Sequence, residues 1–420
     1  MICLLIQSKW KMDAIGKVKR YKDSKGLYCW YALVLCVSVL DILGRNPYIR
    51  LPFQSVISAL MPLFVLYCVV LVLWYDRKTS FSDISYRPLV YIFLFYNLTI
   101  IVRGYLRCED YWDFKDVSTK FGSLTIPAVT LLGFRPLLYQ KIYKYLLSWY
   151  MLGSLIICSH VFYPVQGLPL LFALSWLLIM RRTPWFWCLI VFVFFSIYGN
   201  FGSRGWIIRA VFALASALVL RFVDFKDFVF KSFYVVMIVM PLSLVYLGYN
   251  GRFNVFAMEE YITTDDEDLV SDTRTGLYER VQVTLENESS TFFGIGARSE
   301  YWQGFLEQFG IYESARKHGR SSTESGLLNF YLMGGWVGAI LYSLVFWFAS
   351  FLAIFRSESK VCKFLGMFVL FRWVTSFIDE PQSWYLNYVV LFMTVGMCMS
   401  QTFRKMTDAQ IVHWIRGINK

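Results

Sequence analysis

The sequence predicts an all-α polytopic membrane protein with about twelve spans and one large hydrophilic loop. Three observations lead there. The chain is 57% hydrophobic, 19% aromatic and only 17% charged, whereas soluble domains carry about 25% charged residues. Apolar runs long enough to cross a bilayer recur from end to end. The basic residues, which leave a formal net charge of +12, fall in short clusters between those runs. That distribution serves membrane topology and excludes nucleic acid as a partner.

In chain order, the spans are expected at 28–44, 53–75, 89–106, 121–134, 145–163, 167–180, 184–200, 205–222, 231–249, 325–355, 362–379 and 384–402. Residues 1–7 are apolar but too short for a cleavable signal peptide and lack a basic flank. The fourth span is short for a crossing, which fits a re-entrant or tilted element. The tenth is long, and Gly334-Gly335 is expected to break it into a shallow lead-in and a true span. This divides the chain into a membrane bundle (1–249), a hydrophilic loop (250–324), C-terminal spans (325–402) and a short tail (403–420).

Lysine and arginine in the short loops orient the bundle. The N-terminal tail is basic, and so is every second loop: Arg77, Lys78 and Arg87; Arg135, Lys141 and Lys144; Arg181 and Arg182; Arg221, Lys226 and Lys231; Arg356, Lys360 and Lys363. The tail adds Arg404, Lys405, Arg416 and Lys420. Both termini are therefore expected in the cytoplasm. One outer segment, Arg103 to Lys120, breaks the pattern with four basic residues. In this register loop 250–324 lies outside. It holds 14 acidic and 7 basic residues, six of the latter arginine: Arg252, Arg274, Arg280, Arg298, Arg316 and Arg320. An arginine fork matches pairs of phosphate oxygens, whereas a lysine is a point charge; ordinary ion pairs with the neighbouring carboxylates are the alternative use.

Charges inside the apolar runs are more informative. "NFGSRGWIIRA" puts Arg204 at the outer mouth of the eighth span and Arg209 about 7.5 Å deeper. Arg372 falls near the middle of the eleventh span, with Asp379 seven residues on, two helical turns away on the same face. Arginine in lipid is costly without a polar cavity or partner, so these residues are expected to line a common outward cavity. Elsewhere the chain offers little chemistry. The nine cysteines lie mostly in apolar runs and form no CxxC pair or metal-ligand spacing. "TTDDEDL" lacks the alternating ligands and glycine of a calcium loop. No metal site and no cofactor is expected. His318, six residues before Glu324, is the one histidine close to these features.

Several short motifs follow one another across 200–345: "SRG" at a span mouth, "DTRTGLYERVQVTL" and "FFGIGARSEYW" in the large loop, then "ESGLLNFYLMGGWVGAIL" entering the next span. Together with the span count they resemble the Wzy-type O-antigen polymerases and the related O-antigen ligases, integral-membrane glycosyltransferases of the GT-C class. The resemblance implies an Arg followed four residues later by an aromatic, here Arg274 and Tyr278. It implies a GxG turn, here Gly294 and Gly296, and a polar pair opening the next span, here Glu324-Ser325. Ligase-like members begin that pair with His, so the glutamate argues against a ligase.

The donor the resemblance implies is an undecaprenyl diphosphate-linked oligosaccharide. Its leaving group gains negative charge as the anomeric C1–O bond breaks, and pre-placed arginines stabilise that charge without a metal. Arg204, Arg209, Arg274, Arg280 and Arg298 are the available supply. The acceptor hydroxyl needs a base, for which Glu324 and His318 both stand as candidates. Tyr111 and Trp112 offer aromatic faces to a sugar ring. A chain-length co-polymerase is a partner implied by the resemblance, and lipopolysaccharide biosynthesis at the bacterial inner membrane its setting. Two rivals stand: an O-antigen ligase acting on lipid A-core, and a flippase. Transporter folds often repeat internally, and 1–210 does not repeat in 211–420.

Overall fold

The computed structural model describes residues 54–78, 84–133, 170–179, 184–199, 204–224, 227–249, 275–301, 323, 325–378, 384 and 386–417. The spans expected at 28–44 and 145–163 lie outside these. The described elements are helical: α1 (Gln54–Lys78), α2 (Arg87–Leu106), α3 (Tyr111–Thr125) running into a 3-10 stretch (Ile126–Leu132), and a second 3-10 stretch (Leu174–Leu178). They continue with α4 (Pro184–Gly199), α5 (Arg204–Phe222), α6 (Asp227–Tyr249), α7 (Thr275–Asn287), α8 (Gly326–Phe355), α9 (Lys360–Thr375), α10 (Leu386–Met399), α11 (Gln401–Arg404) and α12 (Asp408–Gly417). Four of them, α2, α5, α6 and α8, are long and apolar enough to cross a membrane. Val235, Val236, Val239 and Met240 on α6 are more than half exposed, an apolar exterior that fits lipid and not water.

Local chemistry sets the ends. Pro88 opens α2, where its missing N–H costs nothing. Asp110 and Asp113 form a reciprocal capping box at the start of α3. Ser325 caps α8 by accepting from the Leu328 amide at 3.2 Å, and Ser359 caps α9 through the Cys362 amide at 3.0 Å. Pro127 ends the α-helical pattern of α3, and the chain tightens into 3-10 geometry. The fourth expected span is thus the end of α3 and a 3-10 segment, almost wholly buried.

α8 is the centre of the bundle and packs along α9 and α10. As the paired glycines predict, it breaks: Gly335 has φ 59° and ψ −160°. A membrane-embedded break leaves amides and carbonyls that only protein can satisfy. Residues 291–297 do so. The amides of Trp336 and Val337 donate to the carbonyls of Thr291 (3.0 Å) and Phe292 (3.2 Å), and the amides of Ile295 and Gly296 donate to Leu332 (3.1 Å) and Met333 (2.9 Å). Bonds that an unbroken helix would make within itself are made to the loop instead. The fit demands glycine on both sides. Gly294 has φ +70°, and a Cβ there would stand 2.4 Å from the Gly334 nitrogen; a Cβ on Gly335 would stand 2.4 Å from the Phe292 carbonyl. Part of the segment read as a hydrophilic loop is therefore packed inside: residues 294–297 are buried.

One expectation about the eleventh span is corrected. α9 ends at Thr375, so Arg372 lies in its last turn and not mid-span. The helix ends there with a turn at 376–378; Asp379, expected to share a face with Arg372, lies outside the described residues. The hydroxyls of Thr375 and Ser376 bond back to the carbonyls of Arg372 (3.1 Å) and Trp373 (2.6 Å), closing the helix.

Candidate functional site

The site forms where α9 ends and α8 begins. Ser325, 5% exposed, not only caps α8 but donates its hydroxyl to the Ser376 carbonyl at 3.0 Å, which also accepts from the Leu327 amide. Asn329, one turn into α8, reaches back: its Nδ2 donates to the carbonyls of Thr323 (2.7 Å) and Ser325 (2.9 Å), and its Oδ1 accepts from the Thr323 amide at 3.0 Å. The residues on both sides of Glu324 are thereby fixed.

Tyr278, on α7, joins the same group. Its hydroxyl donates to the Phe377 carbonyl at 2.6 Å and lies 3.5 Å from the Ser325 hydroxyl. Burial pushes its pKa up to about 12, against a smaller lowering by Ser325, so the phenol stays protonated and serves as a donor. Arg280, two residues further along α7, is partly buried.

One turn below Ser376 lies Arg372, 1% exposed; its guanidinium donates to the Thr375 hydroxyl at 2.8 Å. The next buried arginine is on the neighbouring helix α5. Phe212 of α5 and Phe371 of α9 stack with centroids 3.9 Å apart and planes 10° apart. Arg209 lies one turn before Phe212 and Arg372 directly after Phe371, so this stack sets the two arginine-bearing turns side by side. Arg209 is 5% exposed, donates from Nε to the Gly205 carbonyl at 2.8 Å and lies over the Trp206 ring. Two guanidiniums are thus buried on adjacent helices.

Arg298 is not part of this group. Its Nε pairs with Asp113 at 2.9 Å and its fork reaches Glu109 at 3.4 Å, with a further bond to the Arg107 carbonyl. Burial alone raises the Asp113 pKa, but the amides of Glu109 and Asp110 and the Arg298 guanidinium outweigh it and hold the carboxyl below its ordinary value. The structure thus uses Arg298 as a tie between the loop and α3. Arg204 opens α5, while Arg274, His318, Glu324 and Asp379 lie outside the described residues.

The sequence reading missed a second cluster beside the site. Arg103 on α2 donates to the carbonyls of Phe293 (2.7 Å) and Gly294 (3.1 Å). Lys120 on α3 donates to the carbonyls of Ala297 and Ser299, both at 2.8 Å, and to the Ser299 hydroxyl at 3.2 Å. Burial lowers the Lys120 pKa to about 8, against the raising fields of Asp116 and Glu300. The one signal in the sequence was that segment 103–120 broke the charge pattern. Among the described residues, no group of three or more His, Cys, Asp or Glu could hold a metal ion. No protein-family model, no curated protein and no solved structure matches the chain.

Proposed function

We propose that the chain is an O-antigen-type polysaccharide polymerase: a GT-C-like glycosyltransferase of about twelve spans, set in the bacterial inner membrane with both termini cytoplasmic. It joins undecaprenyl diphosphate-linked repeat units at the periplasmic face. The observation that carries this reading is the pair of buried arginines, Arg209 and Arg372, the latter one turn from the polar knot of Ser325, Ser376 and Tyr278. A diphosphate held by the arginines and a sugar at the knot would meet at the edge of the apolar bundle. Guanidiniums buried among spanning helices are costly and mark functional positions.

In this reaction the acceptor hydroxyl attacks the anomeric carbon of the donor, the C1–O bond breaks, and the diphosphate leaves with the electron pair. Arg209 and Arg372, with Arg204 and Arg274, stabilise the charge that gathers on it. Glu324 takes the acceptor proton, with His318 the alternative base. The orientation gains support from the exceptional segment 103–120. Two of its four basic residues, Arg103 and Lys120, are spent on loop carbonyls and so do not act as topological signals.

The test is a lipopolysaccharide gel from a strain lacking the gene, complemented with the wild-type chain or with Glu324→Ala. The expected result is core bearing a single repeat, with the ladder restored only by wild type. Bare core with polymer accumulating on the carrier lipid would mean a ligase. Bare core with repeat units held on the inner leaflet would mean a flippase. An unchanged ladder in the deletion strain would overturn the O-antigen reading.

A further inference from the structure

A buried lysine normally reaches a carboxylate or water. Lys120 is 7% exposed, and the three oxygens its ammonium reaches are all neutral: the Ala297 and Ser299 carbonyls and the Ser299 hydroxyl. Three donors meet three acceptors, so the group is satisfied. Neutral partners do not fully offset the desolvation of an ammonium. A methionine of similar length would fill the space without that cost, so the ammonium is better explained by what it holds than by stability.

What it holds is specific. Asp113, Val117 and Lys120 stand at i, i+4 and i+7, on one buried face of α3. Asp113 takes the side chain of Arg298, and Lys120 takes the carbonyls on either side of that residue. The stretch so gripped continues directly into the amides that repair the membrane helix. Ala297 N–H donates to the Ile100 carbonyl of α2 at 3.1 Å, Gly296 N–H to Met333 and Ile295 N–H to Leu332. About two turns before Met333 stands Ser325, the cap that fixes the α8 entrance.

We propose that Lys120 is a positioning residue: its ammonium clamps residues 297–299 onto α3, and through them holds the loop in the break of α8 and sets the α8 lead-in that carries Ser325. The clamp is a property of the fold, while its effect on the reaction rests on the polymerase reading above.

Hydrogen exchange followed by mass spectrometry, on the full chain in lipid nanodiscs, tests it. In Lys120→Met, peptides covering 293–300 and 331–338 are expected to exchange about tenfold faster or more, while α9 and α10 keep their protection. Val117→Ala, a packing change on the same face, is expected to lower overall stability without singling out the loop. Wild-type exchange at 293–300 in Lys120→Met, or a uniform loss across α9 and α10, would overturn the clamp. If Lys120→Met does not fold, Ser299→Ala decides: it removes one of the three acceptors and is expected to speed exchange at 293–300 several-fold, and no change there overturns the proposal. The same variants are read on the lipopolysaccharide gel. Loop release with shortened chains ties the clamp to the reaction, and loop release with a normal ladder overturns the positioning role. A wild-type chain that builds no ladder sinks the polymerase reading and leaves the clamp to be decided by exchange.

Discussion

Tyr96 and Asn97 are consecutive residues on α2, and each completes the backbone of a different interrupted helix. The Tyr96 hydroxyl donates to the Gly334 carbonyl at 2.6 Å, at the break of α8. Asn97 Nδ2 donates to the Leu124 carbonyl at 2.7 Å, where α3 turns into 3-10 geometry. Consecutive helical residues point about 100° apart, so one turn of α2 serves two neighbours. α2 is a post against which both irregular segments are held.

Removing either donor is expected to destabilise the fold without abolishing it. Tyr96→Phe leaves the Gly334 carbonyl short of a donor, and Asn97→Ala does the same to Leu124. Each is expected to cost about 1–3 kcal/mol, the penalty for a buried acceptor left unpaired. Thermal unfolding in detergent or nanodiscs would measure it, and unchanged midpoints would show that water reaches these carbonyls.

The break in α8 tolerates no side chain. Gly335→Ala places a methyl 2.4 Å from the Phe292 carbonyl at a positive φ. It is expected to expel loop 291–297 and sharply lower the yield of folded protein. Normal yield with wild-type loop protection would refute this packing.

Ser325→Ala removes the α8 cap and the bond to Ser376. A loss of about 1 kcal/mol in stability is expected, with a larger loss in polymer formation because the flank of Glu324 is released. Ser325→Thr keeps the hydroxyl and is expected to retain most of both. Equal losses of stability and polymer formation across the two substitutions would confine Ser325 to a structural role.

Arg372→Ala and Arg209→Ala are expected to yield inserted protein that makes no ladder, with rates down about 100-fold or more if each guanidinium stabilises the leaving diphosphate. Arg372→Lys is not expected to rescue, since a point charge does not reproduce the fork. Full-length polymer from either alanine variant would remove these residues from the reaction.

The Asp113–Arg298 pair predicts an acid limb. The folded carboxyl titrates below its unfolded value, so its contribution is present above the ordinary carboxylate range and is lost as pH falls through the folded value. Arg298 keeps 24% of its side chain exposed, which limits the effect to about 1–3 kcal/mol. Unfolding midpoints measured from pH 7 to pH 3 are expected to fall less in Asp113→Asn than in wild type.

Composition and periodicity alone determined that the chain is built of apolar helices, of which α2, α5, α6 and α8 are long and apolar enough to cross a membrane, and that α8 breaks at its glycine pair. Those properties are local: an apolar run has no stable option in lipid but a helix, and a glycine pair weakens that helix wherever it stands. The same reading singled out Arg209 and Arg372, because charges inside apolar runs stand out in one dimension, whereas Tyr278 and Ser325 entered only through the family resemblance. The tertiary structure decided what each residue does there. It ended α9 at Thr375 and so put Arg372 in the last turn of that helix. It paired Arg298 with Asp113, the ion-pair alternative to a role on the diphosphate, and it gave Arg103 and Lys120 backbone carbonyls as partners. Lys120 and Ser299 are 179 residues apart, and no local pattern records such a pairing. Carbonyls and amides are the same in every residue, so which of them a break in a helix leaves open, and which side chain closes it, is fixed only when the chain has packed.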